Sequence, residues 1–319
     1  MTQNPENKNT VESPYKNRSS LWRRVLENAL DELQHHFGRP ALLTRVIKTG
    51  VLVPYSIVSP ADTLWTRSVV RWDTWLETSS SSFDSRPFTV DYRKPDATGC
   101  MSGSVRAIPE AENLIREEII DGFKCDISLI RGISSSKSEG YDIAEIDELS
   151  MQRSPEKVKP VTQEHLSVNM NHQGLRLDRM LFAEYPWSER RYYWHNDDGS
   201  HHFSAARYQS RLLQIPVALT GRLYRYHVNT SMVRSLREEW HFYVLPTQQL
   251  FGTFYDVMKA FKCPFAWSAL PENMHDPEKS KVELCIVWLE RENSKANSVA
   301  AELAASGFPD FGVKLSSLL

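Results

Sequence analysis

Apolar residues in the second half of the chain alternate between helical and strand spacing, and this alternation limits the fold more than any other feature. Helical spacing predicts helices over residues 200–213, 230–240, 248–261 and 294–305. Short apolar runs predict strands over residues 191–195, 215–219, 222–228, 241–245 and 282–289. This order favours an α/β or α+β fold over an all-β fold. We predict an α+β fold with a mixed sheet.

The first half of the chain shows two helical patterns. Apolar residues recur at three- and four-residue steps over residues 21–37, with Ser20 as a suitable N-cap and Gly38 as a stop. A second pattern covers residues 109–120, with acidic side chains in its first turn, where the helix dipole favours them. We therefore expect helical elements near the N-terminus.

A change in composition near the middle suggests how the chain is divided. Residues 132–164 contain three consecutive serines, two prolines and alternating charges, which predicts a linker or long excursion. Residues 1–17 are polar and are predicted to be a disordered leader. The remaining parts are an N-terminal α+β region, 18–131, whose role the sequence does not reveal, and a C-terminal domain, 165–319.

Charge and cysteine content exclude several classes of protein. The net charge of −2, from 38 basic and 40 acidic residues, argues against a surface devoted to neutralising phosphates. The four cysteines form no CxxC pair, so no zinc ribbon or redox dithiol is indicated. No apolar run approaches the roughly 18 residues of a membrane helix. These observations predict a cytoplasmic protein without a membrane partner.

The most informative stretch is residues 192–208. Here an apolar strand runs into the turn Asp197-Asp198-Gly199, and a helix that opens with Ser200, His201 and His202 follows directly. The free N–H groups of a helix start bind anions, and glycine permits close approach of the backbone. An ordinary N-cap followed by two surface histidines explains the same pattern and remains an alternative.

The same stretch resembles a known family. The residues 199–206, GSHHFSAA, followed by 213–219, LQIPVAL, are similar to the signature box of the ParB/sulfiredoxin superfamily. In that superfamily the box binds the phosphates of a nucleotide, and members hydrolyse CTP, transfer phosphate from ATP or ADP, or cut DNA. The resemblance implies a ParB/sulfiredoxin-like strand–turn–helix core within residues 165–319.

Only some positions match the superfamily pattern. Gly199 matches its glycine, and His201 matches the histidine of its Gly-x-His-Arg form. Ser200 stands where sulfiredoxin has its reactive cysteine, so thiol chemistry is not indicated. His202 stands where an arginine is usual, and Arg207 is the expected substitute.

The candidate site residues follow from this match and from side-chain chemistry. The expected phosphate-binding residues are Gly199, Ser200, His201, His202 and Arg207. His201, His202 and Asp198 are the candidate catalytic residues, because histidine exchanges protons near neutral pH. Mg²⁺ carried in with the nucleotide is the expected cofactor, held by Asp197 and Asp198.

Residues 161–257 contain ten arginines, seven histidines and no lysine. Arginine suits phosphate recognition, but ion pairing with nearby carboxylates explains the composition equally well. No HExxH motif or i,i+4 histidine pair indicates a transition-metal site.

The leading prediction is a nucleotide-binding protein that hydrolyses a nucleoside triphosphate or transfers phosphate. One alternative is a non-catalytic regulator or interaction protein of a phage or mobile element. A second alternative is nucleic-acid binding or nuclease activity through the arginine-rich region. The expected partner is a nucleoside phosphate, with DNA, a protein partner and a homodimer left open.

Overall fold

A computed structural model describes residues 38–77 and 86–319. The predicted leader, 1–17, and the predicted helix over 21–37 lie outside the described residues. Within them, the mixture of helices and two five-stranded sheets confirms the predicted α+β fold. In the described part of the chain, no helix is both long enough and apolar enough to cross a membrane.

The first sheet is antiparallel throughout. Its strands lie in the order β2 (Met101–Ala107), β1 (Thr89–Pro95), β9 (Phe265–Ala269), β10 (Leu284–Glu290) and β8 (Trp240–Pro246). Successive side chains of β10 enter different cores: Ile286 and Trp288 pack in one, and Cys285 and Val287 in the other. Since side chains alternate across a strand, helices on both faces explain why β10 is almost entirely apolar.

The second sheet is mixed. Its strands lie in the order β3 (Ile115–Asp126), β7 (Ala218–Val228), β5 (Met180–Glu184), β6 (Tyr192–Trp194) and β4 (Gly132–Ile133). The β7–β5 and β6–β4 pairs are parallel, and the other two pairs are antiparallel. Trp194 of β6 packs against Phe203, whose helix covers this sheet.

The helices surround the two sheets. They are α1 (Ala41–Lys48), α2 (Pro109–Glu112), α3 (Ile146–Arg153), α4 (Pro155–Val158), α5 (Gln163–Met170), α6 (Ser200–Leu213), α7 (Thr230–Glu239), α8 (Thr247–Gln249), α9 (Tyr255–Phe261), α10 (Pro277–Ser280), α11 (Ser294–Ala305) and α12 (Phe311–Ser316). A π-helical turn, Leu250–Phe254, joins α8 to α9, so the helix predicted over 248–261 is interrupted.

Two predicted elements differ from the structure. The helix predicted over 109–120 stops at Glu112, and strand β3 begins at Ile115, because this segment pairs with β7. The strand predicted at 222–228 is part of a longer strand, β7, which includes only residues 218 and 219 of the strand predicted at 215–219. Gly221 lies within β7, and a Cβ there would stand 2.3 Å from the carbonyl oxygen of Met180 on β5. Glycine therefore allows close packing of two strands rather than marking a turn.

Residues 132–164, predicted to be a linker or long excursion, are built into the fold. They contain β4, α3 and α4, and both helices pack against α6. Ile143, Ile146 and Leu149 are buried in the same core as Phe203. Each sheet also takes strands from both sides of this segment.

Candidate functional site

Strand β6, a four-residue turn and α6 form the predicted strand–turn–helix unit. The turn runs from Asn196 to Gly199, and α6 begins at Ser200. Gly199 has φ of 77°, in the left-handed region that favours glycine. A Cβ at Gly199 would lie 2.7 Å from the carbonyl carbon and oxygen of Gly174, so the turn touches the backbone at Gly174. Both constraints explain why glycine is needed here.

Asn196 ties this turn to the segment after β4. Its Oδ1 accepts hydrogen bonds from the amides of Ser134 and Ser135, both at 3.1 Å. Its Nδ2 donates to the carbonyl oxygen of Ser135 at 2.7 Å. Because Asn196 is only 5% exposed, these bonds replace water and fix the segment beside the start of α6.

A pocket of about 560 Å³ opens at the start of α6, where Asp197 to His202 form one wall. The opposite wall comes from residues distant in sequence: Ser135, Ser136, Lys137, Lys157 and His172. We call this cavity the α6 pocket. Neither its lysines nor His172 was predicted to be a site residue.

The start of α6 presents unpaired donors to the α6 pocket. Gly199 caps the helix and offers no side chain. Among the described residues, the amides of Ser200, His201 and His202 have no hydrogen-bond acceptor. Ser200 is 5% exposed, and its hydroxyl likewise has no partner in the described part of the chain. Backbone amides at a helix start need a hydrogen-bond acceptor from outside the helix, either water or a ligand.

His201 faces the serines that follow β4. Its Nε2 lies 3.4 Å from the hydroxyl oxygens of both Ser136 and Ser138. Burial lowers the pKa of His201, and the nearby positive charge of Lys157 lowers it further. His201 is therefore a neutral hydrogen-bonding group at pH 7.

His202 is held in one orientation by two contacts. Its ring stacks on that of His172, with ring centres 3.8 Å apart and planes 10° from parallel. Its Nδ1 lies 2.9 Å from Oδ1 of Asn169, which is 1% exposed. Burial, with smaller contributions from His172 and Lys157, lowers the pKa of His202 to about 4. The imidazole is consequently uncharged over the physiological range.

Lys137 and Lys157 supply positive charge to the α6 pocket. Lys157 also has a carboxylate neighbour, with Nζ 3.5 Å from Oε1 of Glu156. Lys137 is exposed, so its flexible side chain can reach a ligand in the pocket. Together with the free amides of α6, these groups give one side of the pocket a positive character.

The predicted magnesium ligands both line the pocket and both have partners. Oδ2 of Asp197 lies 2.7 Å from a guanidinium nitrogen of Arg176, and Oδ1 of Asp198 accepts the amide of Gly199 at 2.7 Å. Each carboxylate keeps a second oxygen. Among residues 38–77 and 86–319, no group of three or more His, Cys, Asp or Glu side chains is arranged to hold a metal ion. A cation held by these two acids would need its other ligands from a bound phosphate or water.

Arg207, expected to bind phosphate, lies elsewhere. It does not line the α6 pocket. Its guanidinium pairs with Asp147 of α3 at 2.5 Å and donates to the carbonyl oxygen of Ser128 at 3.3 Å. Residue 207 is about two turns, roughly 10 Å, beyond the start of α6, which explains the separation.

Seven of the ten arginines between 161 and 257 form ion pairs with carboxylates. They are Arg176, Arg190, Arg191, Arg207, Arg211, Arg222 and Arg225. Two of them, Arg191 and Arg225, share the buried carboxylate of Glu184 at 2.5 and 2.6 Å. This pairing favours a structural role for the arginine-rich composition over a nucleic-acid face.

Comparison with known proteins gives one match. A family described as a family of unknown function, DUF6685, matches residues 120–319, which is 200 of the 319 residues. No curated protein and no solved structure matches the chain. The matched region includes every residue that lines the α6 pocket.

Proposed function

We propose that this chain, which belongs to the DUF6685 family of unknown function, binds the phosphate groups of a nucleotide in the α6 pocket. The observation that carries the proposal is the convergence of three unpaired helix amides, the unpartnered Ser200 hydroxyl and two lysines on one cavity. All of these groups donate hydrogen bonds, as an anionic ligand requires. The resemblance of residues 199–206 to the ParB/sulfiredoxin box motivates the choice of a nucleotide.

In this proposal the phosphates accept hydrogen bonds from the amides of residues 200–202, and Lys137 and Lys157 neutralise their charge. The pocket volume of about 560 Å³ lies in the range of small-molecule sites. Mg²⁺ bound to the phosphates would contact the free oxygens of Asp197 and Asp198. A cytoplasmic location and hydrolysis or transfer of the terminal phosphate belong to the same proposal.

A thermal-shift panel tests the binding. ATP, ADP, CTP, GTP and UTP are added separately, each with and without Mg²⁺, and a nucleotide that binds the native state raises Tm. We expect one base to be preferred and the shift to be lost in Lys137→Gln/Lys157→Gln.

The matched control is Lys259→Gln/Lys314→Gln, which removes the same charge from exposed positions outside the pocket. It should keep the full shift. No shift with any nucleotide would refute the proposal and favour the regulator or interaction-protein alternative. An equal loss in the control would show a general charge effect instead of a site.

A further inference from the structure

The two stacked histidines of the α6 pocket carry their ring protons on different nitrogens. The amide of Gly174 donates to Nδ1 of His172 at 3.2 Å, so Nδ1 of His172 has no proton and its Nε2 carries one. In His202 the proton is on Nδ1 if the oxygen of the Asn169 side-chain amide, and not its nitrogen, faces that atom.

Two backbone carbonyls fix the orientation of Asn169. Gln209 is fully buried, and its Nε2 donates to the carbonyl oxygen of Val158 at 2.8 Å, which leaves its Oε1 as an acceptor. Nδ2 of Asn169 donates to that Oε1 at 3.0 Å and to the carbonyl oxygen of Lys157 at 2.9 Å. Because carbonyls only accept, Oδ1 of Asn169 is the atom that faces His202.

His202 therefore donates from Nδ1 to Asn169 and keeps a lone pair on Nε2. Among the described residues, Nε2 of His202 has no hydrogen-bond partner, although its ring lines the pocket. The free oxygens of Asp197 and Asp198 are assigned to Mg²⁺, so Nε2 of His202 is the atom left to accept a proton from a water beside the bound phosphates.

We propose that His202 is the general base that activates this water for hydrolysis of a phosphoanhydride, with Asn169 and Gln209 as positioning residues. The inference rests on the proposed function. The water oxygen bonds to the terminal phosphorus while one water proton passes to Nε2 of His202. The bond from that phosphorus to its bridging oxygen breaks, and the electron pair leaves with the diphosphate product. His202 then returns the proton to bulk water.

The charged and titratable groups around His202 set when it can act. They are His172 from the turn after α5, Lys157 of α4, His201 of α6 and Asp198 of the preceding turn. The histidines and the lysine oppose protonation of His202, and Asp198 favours it. His202 is thus unprotonated, and able to accept a proton, at neutral pH.

Phosphate release from MgATP and from inorganic triphosphate tests the role of His202. We expect His202→Gln to lower kcat by about 100-fold or more, while Kd measured by calorimetry changes less than about threefold. His227→Gln is the control, because His227 lies on β7 outside the pocket and pairs with Glu118. It should keep the wild-type rate.

The outcomes separate the two proposals. Binding without phosphate release from the wild type, or full activity of His202→Gln, would overturn the general base and leave the binding site. If neither probe binds, both proposals fall.

The positioning role has its own readouts. Nitrogen NMR of the ligand-free protein at pH 7 should find the ring proton of His202 on Nδ1, and a proton on Nε2 would overturn the assignment.

In Asn169→Asp the added negative charge should raise the pKa of His202 and move the acid limb of the kcat profile to higher pH. A slower enzyme with an unmoved limb would show that Asn169 has only a structural role. If Asn169→Asp does not fold, the tautomer of the wild type decides.

Discussion

Gly199→Ala should destabilise the protein more than a left-handed backbone alone explains. Gly199 and Gly307 have almost the same φ, 77° and 78°. They differ in their surroundings: a Cβ at Gly199 would stand 2.7 Å from backbone atoms of Gly174, whereas nothing lies within 4 Å of one at Gly307. The pair therefore separates conformational strain from steric overlap.

The expected magnitudes follow from these two terms. A left-handed conformation costs a residue with a Cβ about 1–2 kcal/mol, and this is the whole expected loss for Gly307→Ala. Overlap with backbone atoms that cannot rotate away adds about 1–3 kcal/mol, as overpacking does in cores. For Gly199→Ala the sum is about 2–5 kcal/mol.

Urea denaturation of the wild type and both variants measures these losses, with Gly140→Ala as a third variant because Gly140 has neither a positive φ nor a neighbour within 4 Å. Gly140→Ala should leave the free energy of unfolding nearly unchanged. Equal losses for Gly199→Ala and Gly307→Ala would refute the close approach of the turn to Gly174. Nucleotide binding should weaken in Gly199→Ala only.

Three further predictions concern individual polar side chains. The pKa of His202 in the folded protein, about 4, is below the ordinary value near 6.5. As pH drops from 6.5 to 4.5, His202 should therefore lower the free energy of unfolding by about 1 kcal/mol, after allowance for solvent screening. Denaturant titrations of His202→Gln should show a smaller fall over this range. Burial raises the pKa of Glu184, but hydrogen bonds from its two arginines outweigh burial and hold it below the usual value. Glu184→Gln should therefore cost about 2 kcal/mol at pH 7. The difference from the wild type should shrink as pH falls below the ordinary value of 4.5 and through the lowered pKa of the native carboxylate. Gln209→Met removes the donor to the backbone carbonyls of Val158 and Pro160 and the acceptor for Asn169, and it should cost about 2 kcal/mol by calorimetric unfolding. Gln152→Met, on the exposed side of α3, should be nearly neutral.

Local patterns predicted the local elements well. The helix over 200–213 matches α6 because Gly199 and the apolar spacing mark its start and course. The helix over 294–305 matches α11 in the same way. By contrast, Ile115 to Ile120 continues the helical spacing of α2, and only pairing with β7 makes it part of a strand. Tertiary contacts therefore determined the structure of this segment, and sequence rules based on local pattern do not include such contacts.

The candidate site was predictable on one wall only. The turn and the start of α6 are contiguous in sequence, so residues 197–202 were found together. Lys137 and Lys157 lie in the segment interpreted as a linker, although Ile143, Ile146 and Leu149 repeat every third residue there and were an available helical signal. The pairing of Asn169 with His202 depends on packing between α5 and α6 and leaves no mark in the sequence. Arg207 was wrongly assigned to the site, because its position along α6 lies roughly 10 Å beyond the start of the helix.

The strand order of the first sheet has a consequence for synthesis on the ribosome. The β1–β2 hairpin is complete once Ala107 has been made, but its partner β9 begins only at Phe265. At typical elongation rates the hairpin waits on the order of 10 s with one edge unpaired. Free strand edges of this kind are sites of unwanted association. A nascent chain arrested before Phe265 should therefore need chaperone protection, and a protein cut in the middle of its sequence would leave neither half with a complete first sheet.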